Sequence, residues 1–299
     1  MDVARRSVLK GLAAGVTSVT GVASANETAA DSAQTPAGPG PAWGVQLYTV
    51  RDQLAADARA TLARVAAIGF KELEVLQPTL AVVTPLAREL GLSIVSVHLD
   101  ASTSEGDGFD RAISTLRDYG VRDVVVPFVP AGGRPTTRKG FEALGARLAR
   151  MARTASTAGL RFGYHNHAFE FGRDADGSRW IETLMQSTAD AGVFLQLDVF
   201  WASVAGGDPV ALLGQYKGRI GSLHLKDKDR SVATTLAEDQ VPRTGFTEVG
   251  SGSLDFPSIL AAARAAGIRH YFVEQDFASG NPLDSLAKSH SYLSGLAVR

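Results

Sequence analysis

Eight short runs rich in Val, Ile and Phe recur along the chain, separated by longer segments rich in Ala, Leu and Arg whose apolar positions have helical spacing. The runs are Gly44 to Tyr48, Glu72 to Leu76, Ser93 to His98, Asp123 to Pro127, Arg161 to Asn166, Val193 to Asp198, Ile220 to Lys226 and His270 to Gln275. Strands that alternate with helices pair in parallel, because each helix carries the chain back across the sheet before the next strand begins. Gly69, Gly91, Gly120, Gly159 and Gly267 stand just before five of the runs, where a left-handed helix cap suits glycine. Thr84-Pro85, Asp208-Pro209 and Asn281-Pro282 read as helix starts, a capping side chain followed by a proline in the first turn. This regularity predicts an α/β fold, a single closed (β/α)8 TIM barrel, for which about 250 residues is typical. An open doubly wound sheet is the competing arrangement, but no glycine-rich phosphate turn follows the first run. One connection is out of proportion: Asp227 to Asp255, which carries Val249-Gly250-Ser251-Gly252. It is expected to rise on the C-terminal face of the barrel, and loops of that length are usually functional. Its glycines are read as turn residues rather than phosphate binders.

The N-terminal residues follow a different pattern. Arg5-Arg6-Ser7-Val8-Leu9-Lys10 precedes a mildly apolar run, Gly11 to Val22, that is too short to span a bilayer, and Ala23-Ser24-Ala25 offers the small residues a signal peptidase reads. The arginine pair resembles a twin-arginine export signal, with Ala4 and Val8 departing from its preferred Ser and Phe. The expected organisation is a leader over residues 1–25, a flexible tether over 26–42 and the barrel over 43–299, with the export machinery as one partner and the periplasm or exterior as destination. A net charge of −1, from 30 basic and 31 acidic residues, gives no bulk attraction to phosphate backbones, so nucleic acid is not an expected partner. The chain has no cysteine, which removes disulfides, thiolate ligands and a catalytic thiol. Any metal must sit on His, Asp, Glu or neutral oxygen.

In a barrel the strand bodies fill the core, so polar residues at strand ends are the informative ones. The first run ends in Gln46 and Tyr48, the second carries Glu72 and Glu74, and the third ends at His98. The fifth gives His165, Asn166 and His167 with Glu170 beyond; the sixth, Asp198; the seventh, His224, Lys226 and Asp227; the eighth, Glu274, Gln275 and Asp276. Four neighbouring strands thus each offer a group from the His/Asp/Glu set, and closing the barrel draws them toward one point. A shell of imidazole and oxygen without sulfur suits one divalent ion, Mn²⁺, Mg²⁺, Co²⁺, Fe²⁺ or Zn²⁺.

Five segments carry a resemblance to a known family: Gly44 to Asp52, Tyr164 to Phe171, Leu197 to Trp201, His224 to Asp227 and Val273 to Asp276. Together they are similar to the xylose isomerase-like TIM barrels, which include sugar isomerases, ketose 3-epimerases, inosose dehydratases and, more distantly, apurinic endonucleases. The epimerases hold one metal with Glu, Asp, His and Glu at the ends of strands five to eight. The resemblance implies Asp198, His224 and Glu274 as three of the ligands here, and by spacing the first position falls on His165. With His in place of the epimerases' first Glu, Glu274 is the one remaining carboxylate base among the ligands. His167 or Glu170 would then act from behind, or supply the fourth ligand themselves. The resemblance also places Glu74 and His98 at substrate-contacting positions, against a structural role for each, and Gln46 beside them. Arg230 is either a substrate-binding Arg or a solvated loop residue, and Trp201 either stacks on a sugar face or packs the sixth turn. Lys226 pairs with a developing oxyanion or with a neighbouring carboxylate.

Such a site supports proton abstraction next to a carbonyl through an enediolate stabilised by the divalent ion. The expected function is a sugar isomerase or epimerase-type enzyme acting on a non-phosphorylated sugar or keto-sugar. The alternative is a lyase that expels a β-substituent from a 3-keto-glycoside or an inosose-like ring. A non-catalytic sugar binder and an apurinic endonuclease are the readings from other classes. Whether copies of the chain associate as a homo-oligomer is left open.

Overall fold

The computed structural model describes residues 42–297 except residues 101, 102, 104 and 105. The expected leader lies outside the described residues, as does the tether apart from Ala42. Eight parallel strands close into a barrel: β1 (Trp43–Gln46), β2 (Glu72–Leu76), β3 (Ser93–His98), β4 (Asp123–Val126), β5 (Arg161–His165), β6 (Phe194–Asp198), β7 (Ile220–Leu225) and β10 (Tyr271–Val273). Two further strands, β8 (Asp227–Lys228) and β9 (Phe246–Thr247), form an antiparallel ribbon outside it. Round the barrel the order is β1-β10-β7-β6-β5-β4-β3-β2. The single α/β (β/α)8 barrel expected from the sequence is therefore the fold. Among the described residues no helix is long and apolar enough to cross a membrane.

Every expected run overlaps one barrel strand, and the bounds shift mainly at the C-terminal ends. Leu47–Val50 winds into a 3-10 turn rather than extending β1, because Gln46 Oε1 accepts the Tyr48 N–H at 2.9 Å and caps it. The five pre-strand glycines all have positive φ, as a left-handed helix end requires. Asp208 and Asn281 accept backbone N–H groups at the starts of their helices, as read from the sequence. Thr84-Pro85 does not start a helix. Gln77–Thr79 forms a 3-10 turn that feeds a helix over Leu80–Glu89, and the Thr84 hydroxyl donates back to the Leu80 carbonyl at 2.7 Å. Pro85 therefore lies inside the helix, where its ring removes one backbone bond.

Large rings fill the lower barrel, and missing side chains make room for them. A Cβ at Gly163 or Gly221 would fall 2.3 or 2.4 Å from the Phe194 ring, and one at Gly44 2.6 Å from Phe272. The long connection after β7 is structured. Phe246 stacks on Phe200, with ring centroids 4.5 Å apart, and joins Trp201, Val204, Val232 and Val241 in a separate apolar cluster that fastens the connection to the β6 side. Its glycine turn closes on Asp227, whose buried carboxylate accepts the N–H groups of Gly250 and Gly252 at 3.0 and 2.9 Å. Those two amides are thereby taken, which agrees with the turn reading and leaves no phosphate cradle.

Candidate metal centre and cavity

Register and capping bring the strand-end residues together. Asp198 at the end of β6 pairs with His224 on β7. Its Oδ1 accepts the Trp201 N–H at 2.8 Å, capping the short helix Val199–Val204, while Asn166 Oδ1 takes the Asp198 N–H at 3.0 Å. The strand end is thus held from two sides, and Asp198 Oδ2 is left buried without a hydrogen-bond partner. One donor atom from each of His165, Asp198, His224 and Glu274 lies within 4.8 Å of the others. His224 Nδ1 stands 2.9 Å from Glu274 Oε2, and His165 Nε2 stands 3.7 Å from Asp198 Oδ2.

This set fits a divalent ion on two grounds. An imidazole nitrogen and a carboxylate oxygen at 2.9 Å need a positive centre between them, either a ring proton or a metal, and adjacent donors on an octahedral ion with bonds of about 2.1 Å share that separation. Asp198 Oδ2 supplies a buried anionic oxygen that accepts no hydrogen bond and meets the protein's cationic groups only as ion pairs, with the Lys226 ammonium 3.2 Å away. Hard oxygen and imidazole donors without sulfur match the ions expected from the sequence.

Lys226 reaches into the same space. Its ammonium lies 3.2 Å from Asp198 Oδ2, 2.8 Å from Glu274 Oε2 and 2.7 Å from Asp276 Oδ1. Burial works against the charged lysine, but the three carboxylates overcome it and hold the ammonium's pKa well above its ordinary value. Burial likewise opposes ionised Glu274, whose carboxyl is nevertheless held well below the usual range by Lys226 and His224. For Asp198 burial wins and the pKa is raised. His224, flanked by Glu74 and Glu274, is lifted to about 10 despite burial. His165 and His167 are driven the other way, first by burial and then by neighbouring cationic groups, so both rings are neutral near pH 7.

Above this cluster opens a cavity of about 430 Å³. His98, His165, His167, Lys226, Glu274 and Asp276 line it, with Tyr48 and Phe128 as partly exposed aromatic walls. His167 Nδ1 is buried without a partner, and the ring lies against Trp201 with centroids 5.3 Å apart.

The other expected site residues fall elsewhere. Glu170 does not line the cavity. Its carboxyl group accepts the Tyr164 hydroxyl at 2.6 Å and the His167 N–H at 2.9 Å, so it shapes the turn that carries His167. Trp201 stands behind His167 in the apolar cluster that fastens the long connection, the packing alternative of its two readings. Arg230 is exposed on that connection and does not border the cavity. Gln46 and Glu74 lie wholly buried beneath the cavity, in the barrel interior, and touch each other at 2.8 Å rather than facing a substrate. The sequence reading gave no role to Asp276, Phe128 or Gln196. Gln196 was legible as the residue two before Asp198, on the same side of the strand. Phe128 gave no signal, being an apolar residue just past an apolar strand.

With this geometry in hand, comparison with known proteins is decisive for the family. The xylose isomerase-like TIM barrel profile matches residues 41–295. The chain belongs to that family. Within it, the chain is 31% identical over 206 residues to the rhizopine catabolism protein MocC of Rhizobium meliloti, covering 62% of each protein. It is 32% identical over 155 residues to the inosose dehydratase of Geobacillus thermodenitrificans, covering 49% of this chain and 51% of that one. The matched stretches thus span between about half and three fifths of these relatives' own lengths. A solved structure of a sugar phosphate isomerase/epimerase from Parabacteroides distasonis superposes with a TM-score of 0.73 at 25% identity, covering 91% of this chain and 100% of that one. The xylose isomerase-like barrel described here thus has relatives whose names span isomerisation, epimerisation and dehydration.

Proposed function

We propose that this family member is a divalent-metal-dependent enzyme of the sugar isomerase or epimerase type, which removes a proton next to the carbonyl of a non-phosphorylated sugar or keto-sugar. The observation that carries the reading is the convergence of His165, Asp198, His224 and Glu274 on one point at the floor of a cavity. A bound divalent ion there would polarise a carbonyl oxygen and acidify the neighbouring C–H.

Glu274 is the base. It borders the cavity, and Lys226 with His224 keeps it ionised. Lys226 stabilises negative charge developing on the substrate oxygen and is placed to protonate a departing hydroxyl. His167, neutral and with a free ring nitrogen, is the second proton-transfer group of the cavity. Glu274 and Asp276 line the space beside the single ammonium of Lys226, which three carboxylates already engage. With a divalent ion bound, the cluster is close to neutral, which suits a neutral polyhydroxylated carbonyl compound.

Elimination is the second reading. Only one carboxylate of the donor set, Glu274, lines the cavity, beside an ammonium able to act as acid. The inosose dehydratase among the relatives supports it. NMR in D2O, with metal-loaded protein, a panel of ketoses, inososes and 3-keto-glycosides, and the Glu274→Gln variant, tests both readings. Deuterium entering next to the carbonyl, and lost in the variant, is the expected result; a new sugar identifies isomerisation or epimerisation, and release of water or an aglycone identifies elimination. No exchange with any of these compounds refutes the carbonyl chemistry. The proposal extends to residues 1–25 as an export leader, for which replacement of Arg5 and Arg6 by Lys should retain the protein in the cytoplasm on fractionation.

A further inference from the structure

Beneath the cavity lies a layer of polar side chains where a barrel interior is ordinarily filled by branched apolar ones. At its centre is Glu74, wholly buried on β2. Its Oε1 accepts from the Ser96 hydroxyl at 2.6 Å and from Gln196 Nε2 at 2.7 Å. Its Oε2 accepts from Gln46 Nε2 at 2.8 Å and His224 Nε2 at 2.5 Å, with His98 Nε2 at 3.0 Å. Because a carboxylate and the Ser222 oxygen take the Gln196 nitrogen, the Gln196 carbonyl must face the other way. There it meets His98 Nε2 at 2.7 Å and His165 Nδ1 at 3.1 Å.

Resting on the reading of His165, Asp198, His224 and Glu274 as metal donors, we infer that Glu74 and Gln196 form one positioning pair that orients the two imidazole ligands from below. Each accepts at one ring nitrogen of a ligand, Glu74 at His224 Nε2 and Gln196 at His165 Nδ1, while both also meet His98 Nε2, and an acceptor demands a hydrogen on the nitrogen it meets. A neutral imidazole that carries its hydrogen on one nitrogen offers its lone pair from the other. With a metal in place of the second ring proton of His224, Glu74 would leave the Nδ1 lone pair aimed toward Glu274, and Gln196 would leave that of His165 Nε2 aimed toward Asp198. Partners of this kind fix ligand orientation, and their loss commonly weakens metal affinity 10- to 100-fold.

The backbone is built for this meeting. The strands β3 and β7 each carry one extra residue, Val95 and Gly221, against the steps Leu73/Glu74 of β2 and Leu195/Gln196 of β6. Strands β2 and β6 are four places apart in either direction round the closed order, so they face each other across the barrel axis. Such irregularities adjust local pairing, and here each lies beside a residue whose side chain reaches the centre.

The test uses the full chain stripped with a chelator, with Co²⁺ as probe, read by calorimetry and by the visible absorption of the bound ion. Glu74→Gln and Gln196→Met should each bind Co²⁺ at least 10-fold more weakly than the wild type, with an altered absorption spectrum. The exchange variant Glu74→Gln/Gln196→Glu keeps one carboxylate and one amide in contact, and should recover affinity to within about threefold. Asp227→Asn, which loosens the fold away from these residues, should bind within twofold of wild type. Should Glu74→Gln fail to fold, Gln196→Met against Asp227→Asn gives the same comparison. Wild-type affinity and spectrum in both single variants, or equal weakening in Asp227→Asn, overturns the positioning role and leaves the donor set standing. Absence of stoichiometric binding by the wild type overturns the donor set and the positioning role together.

Discussion

Replacing Asp227 tests how the long connection is held to the barrel. The carboxylate is wholly buried and accepts five backbone N–H groups: Lys228 at 2.7 Å, Gly250 at 3.0 Å, Gly252 at 2.9 Å, and Ser253 and Leu254 at 3.1 Å each. Hydrogen bonds to a charged acceptor contribute about 1.5–3 kcal/mol each, though neighbours sharing one group do not add fully. Asparagine at this position keeps a carbonyl for the three donors on Oδ1 and turns its NH2 onto those of Gly250 and Gly252, so two bonds become donor-to-donor contacts. The expected cost is about 3 kcal/mol at the lower value per bond. Alanine removes all five, but several of these amides sit near the surface where water replaces the acceptor, so about 4–5 kcal/mol is expected. Urea unfolding followed by far-UV circular dichroism gives the loss, and limited proteolysis shows cleavage in residues 228–254 before the barrel melts. An Asp227→Asn protein within about 1 kcal/mol of wild type, with an unchanged digestion pattern, would show that the apolar cluster around Phe246 alone fastens the connection and that the carboxylate is dispensable.

Two further outcomes are expected. Burial raises the Glu170 carboxyl from 4.5 to about 8, so between those values the folded protein holds a proton that the unfolded chain has released. Stability therefore falls as pH rises through that window, by at most about 5 kcal/mol from this group, and levels off above it. Urea midpoints at pH 5.5 and 8.5 should show wild type losing more than Glu170→Gln; an equal loss in both removes Glu170 as the source. Lys226→Met leaves Asp198, Glu274 and Asp276 without their ammonium. Breaking a buried pair costs about 3–5 kcal/mol, and saturating Mn²⁺ should raise the variant's melting temperature more than the wild type's. A variant as stable as wild type without added metal contradicts this.

The strands and most helix ends were legible because they depend on local chemistry: apolar runs, capping side chains and glycines at positive φ. The donor residues were legible because they stand at strand ends in a repeating pattern. What the sequence hid depends on relations between distant strands. Glu74 and His98 looked alike as polar strand residues, yet Glu74 pairs with Ser96, two residues before His98 along the same face, so Glu74 lies deeper in the interior while His98 reaches the cavity. Glu170 looked like a reserve base because it follows His167 closely, but the tight turn folds its carboxylate back onto the Tyr164 hydroxyl. Thr84-Pro85 carried a helix-start signature, and an earlier turn at Gln77–Thr79 overrode it.

The interior layer also limits how such a chain can diverge. Glu74 touches Gln46, Ser96, His98, Gln196 and His224, contributed by four different strands. A new residue at any one of these positions leaves a buried donor or acceptor stranded elsewhere, so single steps are penalised even where the end state would be sound. Lineages can exchange surface helices and mouth aromatics one mutation at a time, whereas this hub changes only by coupled substitutions. Laboratory evolution toward new substrates should accordingly move first through Tyr48 and Phe128, and a library that randomises the hub positions singly should return almost none of them.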